Sequence, residues 1–188
     1  RVLRARVEQL AHGRRVLDAY SFVGAFALAA ARGGATEVRA VDESALALEV
    51  GAECASANGF AGKITWDRRD ARKVLQEAGV AGGMDLVIVD PPRLSPTRSA
   101  RDAAILAYAK LAELACRATR PGGLLVVCSC SAAIDLSTLT RALAMGALRA
   151  NVQAMVLERH FQGVDHPVSA AFPEGLYLKA LLARVEPR

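Results

Sequence analysis

At 188 residues, 53% of them hydrophobic and 23% charged, the chain suits one domain with a full core, and its longest apolar runs are too short to span a bilayer. The net charge of +5 permits a polyanionic partner without demanding one. The four cysteines, Cys54, Cys116, Cys128 and Cys130, contain no CxxC pair and the three histidines are scattered, which argues against a structural zinc site; with no secretory signal visible, reduced thiols in a cytoplasm are the default.

The opening Arg-Val-Leu-Arg-Ala-Arg is no signal peptide, and the Arg1 start suggests the C-terminal domain of a longer protein. Residues 1–12 read as an amphipathic lead-in helix, and 13–188 as one domain. Arg14 to Tyr20 is a buried strand. Gly24 to Arg32 is an Ala-rich helix stopped by Gly33-Gly34. Glu37 to Asp42 is a second strand, followed by a helix from Ser44, its candidate cap, to Asn58. Lys63 to Trp66 is a short third strand, and Asp70 can cap a helix running to about Ala78. Met84 to Asp90 is a fourth strand. A Pro- and Arg-rich loop leads to a long helix over Ser99 to Thr119. Pro121-Gly122-Gly123 turns the chain into a fifth strand, Leu124 to Cys130, and Leu136 to Ala150 is helical. Asn151 to Phe161 and Leu176 to Val185 form a last strand pair with no helix between them. Near-continuous apolar strands alternating with helices predict an α/β fold with a parallel sheet covered on both faces, plus one antiparallel strand at or near an edge.

Ligands of such sheets bind beyond the carboxyl ends of the strands. Acids stand at or after each of the first four strands: Asp18, Asp42, Asp70 and Asp90. Gly24 lies where a tight strand-to-helix turn needs a residue without Cβ. A pyrophosphate-binding turn would need two further glycines, yet Ala25 and the bulky Phe26 follow. A cofactor without phosphate fits better, and S-adenosylmethionine is one. Asp18 suits its cationic parts, Asp42 can accept from ribose hydroxyls or simply cap the next helix, and Asp70-Ala71 is placed for adenine contacts.

Two further motifs carry chemistry. In Asp90-Pro91-Pro92 the prolines fix φ and remove two donors, so the chain leaves its strand stiff, with carbonyls free for a planar base. Enzymes that methylate an exocyclic amine usually place an aromatic residue here; Arg93 follows instead. In Cys128-Ser129-Cys130-Ser131, alternation puts both cysteines on one face, and Cys130, at or past the strand end, is the better candidate for a reactive thiol. Carbon 5 of cytosine is a poor nucleophile until a thiolate adds to carbon 6, and an acid near ring nitrogen 3 would stabilise the adduct. Cys130 and Asp90 are placed for those two tasks.

The segments Leu17–Ala30, Ala40–Ser44, Asp85–Pro92, Cys128–Ser131, Asp165–Pro167 and Tyr177–Lys179, in this order, resemble the bacterial large-subunit ribosomal RNA 5-methylcytosine methyltransferases that carry an N-terminal PUA domain. The resemblance covers nearly the whole chain but only the catalytic domain of that family. It implies a Rossmann-like, class I fold with a seven-stranded, mostly parallel sheet, S-adenosylmethionine as cofactor, 23S ribosomal RNA as partner, a homodimer, and Cys130 as the catalytic residue with Asp90. Its cofactor pocket maps to Asp18, Tyr20, Ser21, Phe22, Gly24, Phe26, Asp42, Glu43, Ser44, Asp70, Ala71 and Asp90. Apart from the resemblance, Pro91, Pro92, Arg93, Arg98, Ser129 and His166 are candidates for the substrate side: Arg93 and Arg98 either grip phosphates or are solvated surface arginines, and His166 either lines the site or pins its loop. Relatives often carry Gly where Ala25 stands and an aromatic residue near Arg93-Leu94. Two other readings stay open: nitrogen methylation of a nucleobase or small molecule with Cys130 as mere packing, and a non-catalytic binding module.

Overall fold

The computed structural model describes residues 1–94 and 101–188. In chain order the elements are α1 (Val2–Leu10), β1 (Arg15–Ala19), α2 (Ala25–Arg32), β2 (Glu37–Asp42), α3 (Ala45–Ala57), β3 (Ile64–Arg68), α4 (Ala71–Val80), β4 (Met84–Val89), α5 (Arg101–Ala118), β5 (Thr119–Ser129), α6 (Leu136–Arg149), β6 (Val152–Phe161) and β7 (Lys179–Pro187). The seven strands form one sheet in the order β3-β2-β1-β4-β5-β7-β6, with β7 antiparallel to both of its neighbours and the other pairings parallel. From β1 the chain fills one half of the sheet with β2 and β3, then returns to β1's other side with β4. The strand order therefore reverses between β1 and β4, where their carboxyl ends open a crevice.

Apolar side chains pack on both faces of the sheet. Leu17, Val87, Leu125 and Leu181 meet α4, α5 and α6 through Val74, Tyr108 and Leu143. Val16, Ile88, Val126 and Leu182 meet α1, α2 and α3 through Val7, Ala27 and Ala55. Small residues on α2 let it lie close to the sheet. Residues 15–19 alternate between these two cores, so Asp18 shares a face with Val16 and points toward the start of α2.

Some boundaries differ from the sequence expectation. β3 extends to Arg68 because Asp67 and Arg68 pair with Val41 and Asp42, and an Arg39–Asp67 ion pair reinforces this edge. β5 begins at Thr119, which pairs with Met84 ahead of a register shift. β7 begins only at Lys179, because the Tyr177 and Leu178 amides donate to Gln162 Oε1 at 2.8 and 3.1 Å and are drawn out of the ladder. Among the described residues, no helix is long and apolar enough to cross a membrane.

Candidate active site

The loop from β1 to α2 carries two unusual backbone conformations. Tyr20 and Phe22 have φ of 65° and 50°, in the left-handed region that costs non-glycine residues roughly 1–2 kcal/mol each. Several hydrogen bonds hold them there. Ser21 N donates to Val41 O at 2.9 Å, Phe22 N to Asp42 Oδ2 at 2.9 Å, and Gly24 N to Ser21 O at 2.8 Å. Gly24 caps α2 with φ of 72°, and a Cβ there would stand 2.4 Å from the Trp66 ring. Gly51 on α3 meets the same ring, so the indole of Trp66 fits between two glycines.

Asp18 is fully buried, and its Oδ2 accepts the Ala27 amide at 2.9 Å. Burial, with Asp90 and Asp42 nearby, pushes its carboxyl up to about 8. It borders neither cavity described below, which corrects the expectation that it meets the cofactor's cationic groups directly. Its work is to tie the start of α2 to β1.

Asp42 has both oxygens engaged, Oδ2 by Phe22 and Oδ1 by Ser44 N at 2.9 Å, and each keeps a lone pair for a ligand. Ser44, not Asp42, caps α3, accepting from Ala47 N. Asp70 caps α4 by accepting from Arg72 N at 2.8 Å.

Two cavities open at this end of the sheet. The first, about 610 Å³, is lined by Tyr20, Phe22, Asp42, Glu43, Asp70, Ala71, Asp90 and Pro92, with Arg69, Arg72, Leu94 and α5 residues completing it. The second, about 380 Å³, is lined by Tyr20, Ser21, Phe22, Phe26, Asp90, Cys128, Ser129, His166 and Lys179, among others. Both volumes fall in the range of small-molecule sites, roughly 300–1,000 Å³. Tyr20, Phe22 and Asp90 border both, so the cavities meet at these residues. Asp90 faces solvent there, yet the surrounding walls desolvate it and push its carboxyl up to about 6.

The structure thus gathers most of the predicted residues but redistributes some. Phe26 and Ser21 face the second cavity, and Pro92 faces the first. Gly24 and Ser44 shape backbone behind the walls, Pro91 is buried, and Arg93 is exposed. Arg98 lies outside the described residues.

The two cysteines of the β5 turn differ in kind. Cys128 borders the second cavity but is nearly buried, and burial together with Asp90 and Asp18 raises its thiol well above the usual range. That opposes ionisation. Cys130 is half-buried one residue past the strand and borders neither cavity. The turn around it is tightly held: the Tyr108 hydroxyl donates to Ser129 Oγ at 2.9 Å, and Ser131 N donates to the same oxygen at 3.3 Å. Sequence reasoning missed Tyr108, Trp66 and Lys179. Only Lys179 carried a signal, as the last residue of the Tyr177–Lys179 segment.

The carboxylates of Asp42, Glu43 and Asp70 in the first cavity, without a glycine-rich phosphate cradle, fit S-adenosylmethionine. Asp42 and Glu43 would hold ribose hydroxyls, Asp70 and Ala71 the adenine side, and Tyr20, Phe22 and Asp90 the end that faces the second cavity.

A family described as S-adenosylmethionine-dependent methyltransferase matches residues 1–182. Ribosomal RNA large subunit methyltransferase I of Shewanella denitrificans is 34% identical over 184 residues, covering 97% of this chain and 46% of that protein. The protein of the same name from Yersinia pestis is 36% identical with the same coverage. The chain therefore spans about half the length of the curated relatives it matches. A Streptococcus mutans structure, provisionally described as an S-adenosylmethionine-dependent methyltransferase, superposes with a TM-score of 0.82 at 21% identity, covering 98% of this chain and 48% of that one. At that identity the likeness concerns the fold.

Proposed function

Because the chain belongs to the S-adenosylmethionine-dependent methyltransferase family, we propose that it forms 5-methylcytosine in large-subunit ribosomal RNA, specifically 23S RNA, through a transient bond between Cys130 and the base. The observation that carries this reading is the meeting of the two cavities at Asp90, with the cysteine turn of β5 beside the second. The names of the relatives support the RNA class, and the thiol supports carbon as the acceptor. We read the described domain as the catalytic half of a longer cytoplasmic protein.

S-adenosylmethionine, when bound, supplies an electrophilic methyl group on a sulfonium. The residues do the rest. The Cys130 thiolate adds to carbon 6 of the ring, forming an S–C bond. The electrons of the carbon 5–carbon 6 double bond become available at carbon 5, and Asp90, protonated, donates to ring nitrogen 3. At a carboxyl pKa of about 6, roughly a tenth of the population carries that proton at neutral pH. After carbon 5 has gained its methyl group, loss of its proton to a base restores the double bond and expels the thiolate. Tyr20 and Phe22 wall the junction between the cavities beside Asp90.

The test is direct. Cys130→Ala should lose activity on RNA, and RNA carrying 5-fluorocytosine should leave a stable protein adduct at Cys130. Wild-type activity in the Ala variant would end the covalent reading. One observation favours a second reading: Cys130 borders neither cavity, as packing alone would have it. Methylation of a base nitrogen would then proceed without an adduct, and absence of the adduct in an active enzyme would select that reading.

A further inference from the structure

The covalent reading needs Cys130 as a thiolate, and a free cysteine, with a pKa of about 8.5, is only a few per cent ionised at neutral pH unless a cation stands near. One cation is built into this corner. Lys179 begins β7 directly opposite Ser129, the last residue of β5. It is only 7% exposed, borders the second cavity, and its Nζ donates to the Ser131 carbonyl at 2.7 Å. An ammonium has three donors, so two remain beyond the Ser131 bond. Buried lysines are rare unless a partner compensates the charge. A single carbonyl is a weak partner for such a charge.

We propose that Lys179 is a positioning residue for the Cys130 sulfur: anchored on the Ser131 carbonyl, its ammonium is the counter-charge that favours the thiolate at the end of β5. This rests on the covalent reading above and adds to it the group that prepares the nucleophile. Lys179 pairs with Ser129 and clasps the Ser131 carbonyl, the residues on either side of Cys130; desolvation lowers the Lys179 pKa, while Cys130 and Asp135 raise it. Asp135 also caps α6 by accepting from Thr138 N at 2.7 Å, so part of its charge is spent on the helix.

Among the described residues, Tyr108 from α5 and Cys128 from β5 also lie near the sulfur, with Asp90 beyond them; Tyr108 is pushed up to about 12 by burial, with a smaller push from Cys130 and Asp90. Cys128, raised well above its ordinary range, is neutral near pH 7. His160, His166, Asp165 and the Arg1 and Arg4 side line the same cavity as Lys179. Among the described residues, Lys179 is thus a cation fixed beside the cysteine turn by a hydrogen bond to that turn.

A glutamine at 179 can still donate to the Ser131 carbonyl but carries no charge, which separates a clasp from a counter-charge. In the full-length protein, alkylation of Cys130 by iodoacetamide is followed across pH by peptide mass spectrometry, with the peptides of buried Cys116 and Cys128 as internal references. Binding of S-adenosylhomocysteine reports that each variant is folded. The midpoint for Cys130 should rise by about one pH unit in Lys179→Gln, a tenfold change in proton affinity, and Lys179→Arg should return most of it. An unchanged midpoint in a folded Lys179→Gln protein overturns the proposal. Should that variant not fold, the wild-type midpoint is compared with that of the protein unfolded in guanidinium. A native midpoint below the unfolded one supports the counter-charge, and one equal or higher overturns it. None of these readouts uses RNA, so failure of the covalent reading (an active Cys130→Ala enzyme) is distinguishable from failure of this one.

Discussion

Asp18 and Asp90 show how one type of side chain takes two roles through environment alone. Asp18 is sealed behind the β1–α2 turn, and its native carboxyl holds a proton up to about 8. The unfolded chain releases that proton at about 4. Between those values the native state binds more protons than the unfolded one, so stability falls as pH rises through the window. Asp18→Asn removes that dependence. Its melting temperature relative to wild type should therefore climb from about pH 5 to about pH 8; parallel curves for the two proteins would show that Asp18 ionises normally in the fold. Asp90, open to solvent where the cavities meet, is raised only to about 6. Asp90→Asn is expected to lower kcat by about 10²–10⁴-fold, the usual weight of a positioned proton donor. Binding of S-adenosylhomocysteine should survive, and calorimetry separates the two effects.

At the scale of elements, the site depends on turns that single side chains enforce. Gly24 needs both its positive φ and the missing Cβ, because Trp66 fills the space where a methyl group would stand. Gly59 also has positive φ, at 76°, but nothing lies within 4 Å of its Cβ position. Gly59→Ala should thus cost only the backbone penalty of about 1–2 kcal/mol, whereas Gly24→Ala adds overpacking of about 1–3 kcal/mol. Thermal melts of the two variants should differ by several degrees, and equal melts would mean that Trp66 simply swings aside. Tyr108 links α5 to the β5 turn through Ser129. Tyr108→Phe should cost about 1 kcal/mol of stability for the lost hydrogen bond. A fall in activity beyond the small loss of folded protein, seen in single-turnover methylation, would assign the hydroxyl to aligning the turn.

For the molecule as a whole, ligand linkage is the simplest test of the first cavity. A ligand that binds only the native state raises apparent stability by RT ln(1 + [L]/Kd), about 2.7 kcal/mol at a hundredfold excess over Kd. S-adenosylhomocysteine should produce such a shift, and Asp42→Ala should largely remove it. If Asp42→Ala retains the full shift, Asp42 serves only the Phe22 and Ser44 amides it already accepts from.

Strand and helix order could be read directly from the chain, because apolar runs such as Leu124 to Cys128 and punctuation such as Gly33-Gly34 are local properties of neighbouring residues. So could the acids at the strand ends, and the homology to known methyltransferases follows from those same segments. Only tertiary structure decided which groups meet. Asp18 and Asp42 carry the same side chain at the ends of adjacent strands, yet one is walled in by α2 and the other opens to a cavity. Lys179 is distant from the cysteine turn in the chain and clasps its Ser131 carbonyl only because β7 runs antiparallel beside β5. Propensity acts over a few residues, whereas desolvation and Coulomb interactions depend on distances that exist only once the sheet has closed.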